Sequence, residues 1–184
     1  MGESWEKYLK FRCTGCGNCC RDTVVCINDE DIRRIVGGTG KPVKEFVRFF
    51  THSEIAMSQN DPLWLRLAKG KVVMGLRKTG DRCVFLDNET NRCKIYEHRP
   101  VTCRDHPVNA TFSDTGAVIK MALSRIVKCP HAWDGTITKR ELRKAQTLNQ
   151  RHEKAYLEKV RAWNQRQEGS RTAACFLRFL GFSV

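Results

Sequence analysis

The cysteines constrain this chain more than any other feature. Ten of its 184 residues are cysteine, and four of them crowd into residues 13–20 as Cys13-x2-Cys16-x2-Cys19-Cys20. A two-residue spacer lets two sulfurs reach one metal while the backbone turns over it. Gly15 and Gly17 allow positive φ there and bring amides toward the sulfurs. Vicinal cysteines rarely aim at one tetrahedral centre, so Cys19 and Cys20 are expected to serve different centres. A second group, Cys83-x9-Cys93-x9-Cys103, is followed by Cys129-Pro130. Four plus four thiols suffice for two four-thiolate centres, or for one cluster and one mononuclear ion. Cys26, in the apolar run Val24-Val25-Cys26-Ile27, and Cys175, in Ala173-Ala174-Cys175-Phe176-Leu177, read instead as small packed hydrophobes. In the rival assignment Cys26 closes the first site and Cys20 is the spare.

Whether such thiols form disulfides or hold metal depends on the compartment. Apolar residues make up 41% and charged residues 29%, with a mean hydropathy of −0.48, the balance of a soluble globular chain. No apolar run approaches the roughly 18 residues of a spanning helix. Residues 1–10 carry acids and a tryptophan where a signal peptide would carry basic residues and an apolar core. A cytoplasmic location and no membrane partner are therefore expected, and reduced thiols there favour metal over disulfides. Three thiols of the quartet match the C-x2-C-x2-C run of bacterial ferredoxins, and Cys129-Pro130 is similar to the proline that closes such motifs. The fourth cysteine follows too soon for a full match.

The remainder reads as α+β, mostly helical, with short strands, an irregular cysteine-rich core held by metal and a long amphipathic helix at the C-terminus. Asn28 followed by Asp29, Glu30 and Asp31 predicts a helix start, with Ile32, Ile35 and Val36 inward and Gly37-Gly38 as its end. A second helix is expected from Pro42, burying Val43, Phe46, Val47 and Phe50. The pair reads as a scaffold rather than a DNA-reading helix-turn-helix. Residues 71–76, 83–86 and 117–123 read as strands, with turns at 79–81 and 87–91. Thr138 and Glu141 form a capping box for a helix of about 30 residues, ending near Glu168-Gly169. Leu142, Ala145, Leu148, Tyr156, Val160 and Trp163 line its apolar stripe. His152 falls on that stripe and reads as packing, not as a ligand. Residues 170–181 either cap the core or form an association surface. Residues 1–135 are expected to form the cysteine-cluster domain, and 136–184 a basic helical extension packed on it.

At this point three ordered motifs carry a resemblance. Phe11-Arg12-Cys13-Thr14-Gly15-Cys16-Gly17-Asn18-Cys19-Cys20, Cys83-Val84-Phe85-Leu86 and Cys93-Lys94-Ile95-Tyr96-Glu97-His98-Arg99-Pro100-Val101-Thr102-Cys103-Arg104 resemble the CxxCxxCC, or YkgJ-like, cysteine-cluster family. The resemblance covers roughly residues 11–130. It departs at Asp105-His106-Pro107, where the family reads x-Phe-Pro, and the basic tail lies outside it. It implies zinc or iron chelation by Cys13, Cys16, Cys19, Cys20, Cys83, Cys93, Cys103 and Cys129. It also implies iron–sulfur oxidoreductase chemistry, or an accessory role in modifying protein lysines, since a related cluster occurs in flagellin lysine methylases.

The expected cofactor is an iron–sulfur cluster of the 4Fe–4S type, with zinc as the alternative. Four thiolates make either centre anionic, and nearby cations must offset that charge. Arg12, Arg21, Arg92, Arg99 and Arg104 all lie close in sequence to candidate ligands. Arg99 and Arg104 match the family motif and are expected to touch the ligands or a substrate anion, and Tyr96 to pack beside them or donate to a sulfur. His106 is expected to be no essential ligand. No catalytic residue is assigned, and residues 37–41 lack the spacing of a phosphate loop. The leading function is a cluster-bearing redox or modification protein with a protein or redox partner. One rival is a structural zinc module that mediates protein interaction. The other is a nucleic-acid-associated protein: the chain carries +13, and residues 139–184 hold eleven basic and four acidic residues, enough for weak non-specific binding.

Overall fold

A computed structural model describes residues 5–21, 23–113, 115, 117–124, 128–167 and 171–183. In chain order its elements are β1 (Arg12–Cys13), α1 (Asp29–Thr39), α2 (Val43–Phe46), β2 (Val47–Thr51), β3 (Leu65–Leu67), β4 (Gly70–Leu76), β5 (Lys78–Thr79) and β6 (Arg82–Cys83). They continue with α3 (Val101–Asp105), β7 (Val108–Phe112), β8 (Val118–Leu123), β9 (His131–Ala132), α4 (Lys139–Asn164) and α5 (Ala173–Phe179). The fold is α+β, with short antiparallel strands and one long C-terminal helix.

α1 begins where its cap predicts. The Asn28 side chain accepts from the Asp31 amide, and the Asp31 carboxylate accepts from the Asn28 amide. Its end differs from the expectation. Gly37 and Gly38 stay helical, and Gly40, with φ 67°, donates its amide to the Val36 carbonyl and closes the helix. Gly38 serves packing instead, because a Cβ there would lie 2.3 Å from the His98 ring.

The expected second helix is also corrected. Val43–Phe46 makes one turn, and the chain then extends into β2, which pairs antiparallel with β4 in the order β2-β4-β3. The helical spacing was coincidental: positions 47 and 50 fall on opposite faces of a strand. Val47 joins the main core with Ile32, Ile35 and Leu76, whereas Phe50 joins a second cluster with Trp64 and Val73. With α2 only one turn long, the expected helical pair is absent in either reading, as scaffold or as helix-turn-helix.

β5 and β6 form a hairpin around Gly80, at φ 62°, and β7 pairs with β8. α4 opens on the predicted Thr138–Glu141 capping box. The expected end at Glu168-Gly169 lies outside the described residues, and the helix closes at Asn164. Tyr156, Val160 and Trp163 enter the main core, but Leu148, earlier in the stripe, remains half exposed. α5 caps that core through Phe176 and Leu177, with the Trp163 and Phe176 rings 5.1 Å apart. Asp29, 1% exposed, ties α4 to α1 by accepting from Lys159 Nζ (2.5 Å) and Arg33 Nη1 (2.6 Å). Among the described residues, no helix is long and apolar enough to cross a membrane.

Candidate metal centre

Three devices bring the cysteine segments together. The first is the β1–β9 pairing, where Cys13 lies opposite His131. Arg12 forks onto Asp134 at 2.7 and 2.9 Å, Thr14 Oγ1 donates to the Pro130 carbonyl at 2.5 Å, and Asn18 Nδ2 donates to the Lys128 carbonyl at 2.7 Å. Cys129 is thereby laid beside the quartet. The second is the 87–91 turn. Asp87 accepts from the Thr90 amide and hydroxyl, from Lys94 and from the Glu89 amide, and these bonds, Thr90 first, pull its carboxyl down to about 2. Arg21 bonds the Asn91 side chain, and the Leu86–Cys93 bridge seats Cys93. The third is Asp31, whose Oδ1 accepts from the Val101 amide and from Arg34 Nη1, both at 3.0 Å. Arg34 also donates to the Arg99 carbonyl at 3.1 Å. α1 thus holds the start of α3, which carries Cys103.

The quartet itself turns on its glycines. Gly15, at φ 70°, points its amide at Cys13 Sγ, 3.4 Å away. Gly17, at φ 75°, opens a 3-10 turn, and a Cβ there would lie 2.8 Å from the Asn91 carbonyl.

The result is a cavity of about 470 Å³ lined by Cys13, Cys16, Cys19, Cys20, Cys93, Cys103 and Cys129. Cys83 is buried outside this lining but close enough to feel Cys93 and Cys19. The Cys19 and Cys20 sulfurs are 4.0 Å apart. After burial, Cys129 feels Cys16 and Cys13 most, and the sulfurs that act on Cys20 are those of Cys19, Cys83 and Cys103. Cys19 influences both neighbourhoods.

Crowding and burial make the thiolate form costly. Burial pushes Cys83 and Cys129 up to about 11 and drives Cys103 higher still, while Cys20 rises first through its bond with Cys19 and then through burial. Such thiols keep their protons near neutral pH until a cation draws them off. Among the described residues, no three Cys, His, Asp or Glu side chains stand close enough to hold an ion. The expected metal-held core is thus not shown by the described residues. The donor chemistry nevertheless fits a thiophilic metal: soft sulfurs, an amide aimed at one of them, and Arg92 and Arg99 in the wall to offset thiolate charge. Holding an ion requires the sulfurs to draw together.

The other predicted residues separate. Arg99 and Tyr96 line the cysteine cavity, with the Arg99 guanidinium stacked 3.6 Å from the Tyr96 ring centroid. Arg104 faces an adjoining, larger cavity and donates to the Glu97 carbonyl at 3.0 Å. His106, set aside in the sequence reading, lines both cavities. Its Nε2 is buried without a partner, and burial lowers its pKa. Arg12, Asp134, Asn91 and Asp31 position the ligand segments; the sequence marked Arg12 as a cation near ligands, Asn91 as a turn residue and Asp31 as a capping acid, but gave no sign of Asp134.

Cys26 lines the larger cavity, with its thiol pushed up to about 11 by burial, and Cys175 lies on α5 away from both cavities. Cys26→Ala and Cys175→Ala should each retain the full metal content, at a cost of roughly 1–2 kcal/mol at most. Metal analysis and melting curves check this. Loss of one metal equivalent in Cys26→Ala would make Cys20 the spare.

Residues 12–123 match the model of the CxxCxxCC family, described as a "Putative zinc- or iron-chelating domain". An uncharacterized protein of Methanocaldococcus jannaschii is 30% identical over 103 residues, which cover 54% of this chain and 45% of the relative. The match thus spans less than half of that relative's length. No solved structure matches the chain. Because the family model covers more than half of its length, the chain belongs to the CxxCxxCC family, and metal binding is the function that membership supports.

Proposed function

We propose that this member of the CxxCxxCC family carries iron as an iron–sulfur cluster, of the 4Fe–4S type, in a redox or protein-modification role. The observation that carries the reading is the convergence of seven thiols, from residues 13–20, 93–103 and 129, on one cavity. When bound, a cluster supplies one-electron transfer. The chain's own residues do the rest. Cysteines drawn from Cys13, Cys16, Cys19, Cys20, Cys83, Cys93, Cys103 and Cys129 hold the group, and the Gly15 amide donates toward Cys13 sulfur. Arg92 and Arg99 offset the negative charge, and His106 presents an imidazole that burial favours as neutral.

Anaerobic purification followed by iron, zinc and sulfide analysis tests the assignment. Brown protein with iron and acid-labile sulfide is expected. Colourless protein holding zinc and no sulfide would replace the reading with that of a structural zinc module.

A further inference from the structure

We propose that the larger cavity beside the cysteine site binds a small organic anion, an apolar body bearing a carboxylate or phosphate group. The cavity measures about 800 Å³, within the roughly 300–1,000 Å³ typical of small-molecule sites. It lies between α3, the β7–β8 hairpin and the first half of α4, and its apolar wall includes Ile27, Val101, Val108, Met121 and Leu142. This explains why the α4 stripe enters the core only from Tyr156 onward.

Three of the polar groups in this wall have buried atoms without partners: Arg99 Nε, His106 Nε2 and Tyr156 Oη. Tyr156 is only 2% exposed. A buried hydroxyl with nothing to bond is destabilising, and phenylalanine would pack as well. A ligand acceptor supplies the missing partner.

The charges around the cavity favour an anion. Asp31 is saturated by Arg34 and two backbone amides, and Asp105 accepts from Asn149. The Arg12 charge is committed to Asp134, and Glu153, the remaining acid of the wall, is exposed to solvent. Among the described residues, Arg99 and Arg104 form no ion pair; Arg99 stacks on Tyr96, and Arg104 bonds a carbonyl and feels Asp31 and Asp105 only at longer range. Two guanidiniums that bond no carboxylate, beside an apolar wall, suit a charged head on an apolar body. Arg12, Cys13, Tyr96, Arg99 and His106 line both cavities. A head group on Arg99 therefore lies against the wall of the cysteine site. The inference stands whichever metal the cysteines hold.

The test uses the full chain as purified, with its metal. The probes are 8-anilinonaphthalene-1-sulfonate, an apolar anion, and N-phenyl-1-naphthylamine, which lacks the sulfonate. The anion should bind about tenfold more tightly than the neutral probe, as one charge-assisted contact predicts. Arg104→Gln should abolish that preference without changing metal content, whereas Arg104→Lys should keep most of it. Displacement by octanoate or by octyl phosphate then tells a carboxylate site from a phosphate site. Tyr156→Phe should melt about 2–4 °C higher, as loss of an unpaired hydroxyl predicts, and bind the displacing anion more weakly. Equal affinity for the two probes, an unchanged preference in Arg104→Gln, or failure of both anions to displace the probe would overturn the proposal.

Discussion

Replacing Cys16 or Cys103 with serine should release bound metal and lower the melting temperature by roughly 8–16 °C. A ligand present at a thousand times its Kd stabilises the folded chain by about 4.1 kcal/mol. In a chain of this length each kcal/mol moves the melting temperature by about 2–4 °C. Serine nearly preserves volume but offers a hard, protonated oxygen, so the loss reports ligation rather than packing. The two positions probe different segments: Cys16 belongs to the glycine-turned quartet, and Cys103 rides on α3 under the Asp31 anchor. Loss of metal from each variant would show that both segments supply ligands.

The direction with pH follows from the thiols. Burial raises Cys83 and Cys129 to about 11, so metal must displace protons there, and loading should weaken as pH falls. Metal analysis and melting curves at two pH values check both statements. Unchanged metal content and melting in both serine variants would remove the cysteine cavity from the account.

Local chemistry was legible in the sequence wherever one short segment decided the outcome. Both capping boxes are such cases, because Asn28 with Asp31 and Thr138 with Glu141 satisfy their own helix starts. The cysteine motifs are another, since Gly15 and Gly17 set the turn of the quartet by themselves. What failed depended on partners distant in the chain. Gly38 reads as a helix stop until His98 is found packed against it. Val47 and Phe50 read as one helical face until a sheet with apolar clusters on both sides places them apart. β3 and β7 went unread because each borrows its register from β4 or β8. Spacing also gave no means of placing Cys26 in the neighbouring cavity, or of seeing that the Tyr156 hydroxyl lacks a partner.

Asp29→Asn should destabilise the chain by about 2–3 kcal/mol, or roughly 4–12 °C in melting temperature. The Asp29 carboxylate is 1% exposed and receives Lys159 from α4 and Arg33 from its own helix. Removing one partner of a fully buried ion pair costs about 3–5 kcal/mol. The figure here is lower because the Lys159 and Arg33 side chains stay 37% and 43% exposed, so water can solvate them after the loss. Burial alone would raise the Asp29 pKa, but the hydrogen bonds from Lys159 and Arg33 outweigh it and the net shift is downward. A lowered folded-state pKa contributes stability that is fully present above the unfolded value of about 3.9 and is lost as pH falls through the folded value. The stability difference between the native chain and Asp29→Asn should therefore be constant from pH 7 to about pH 5 and shrink below that. Urea titrations of both proteins across this range measure it, and because metal lost at low pH is lost from both, the difference isolates Asp29. A difference that grows on acidification would show that the carboxylate is buried at a net cost. In that case Lys159 would not be what holds α4 on α1, the helix whose Asp31 positions Cys103.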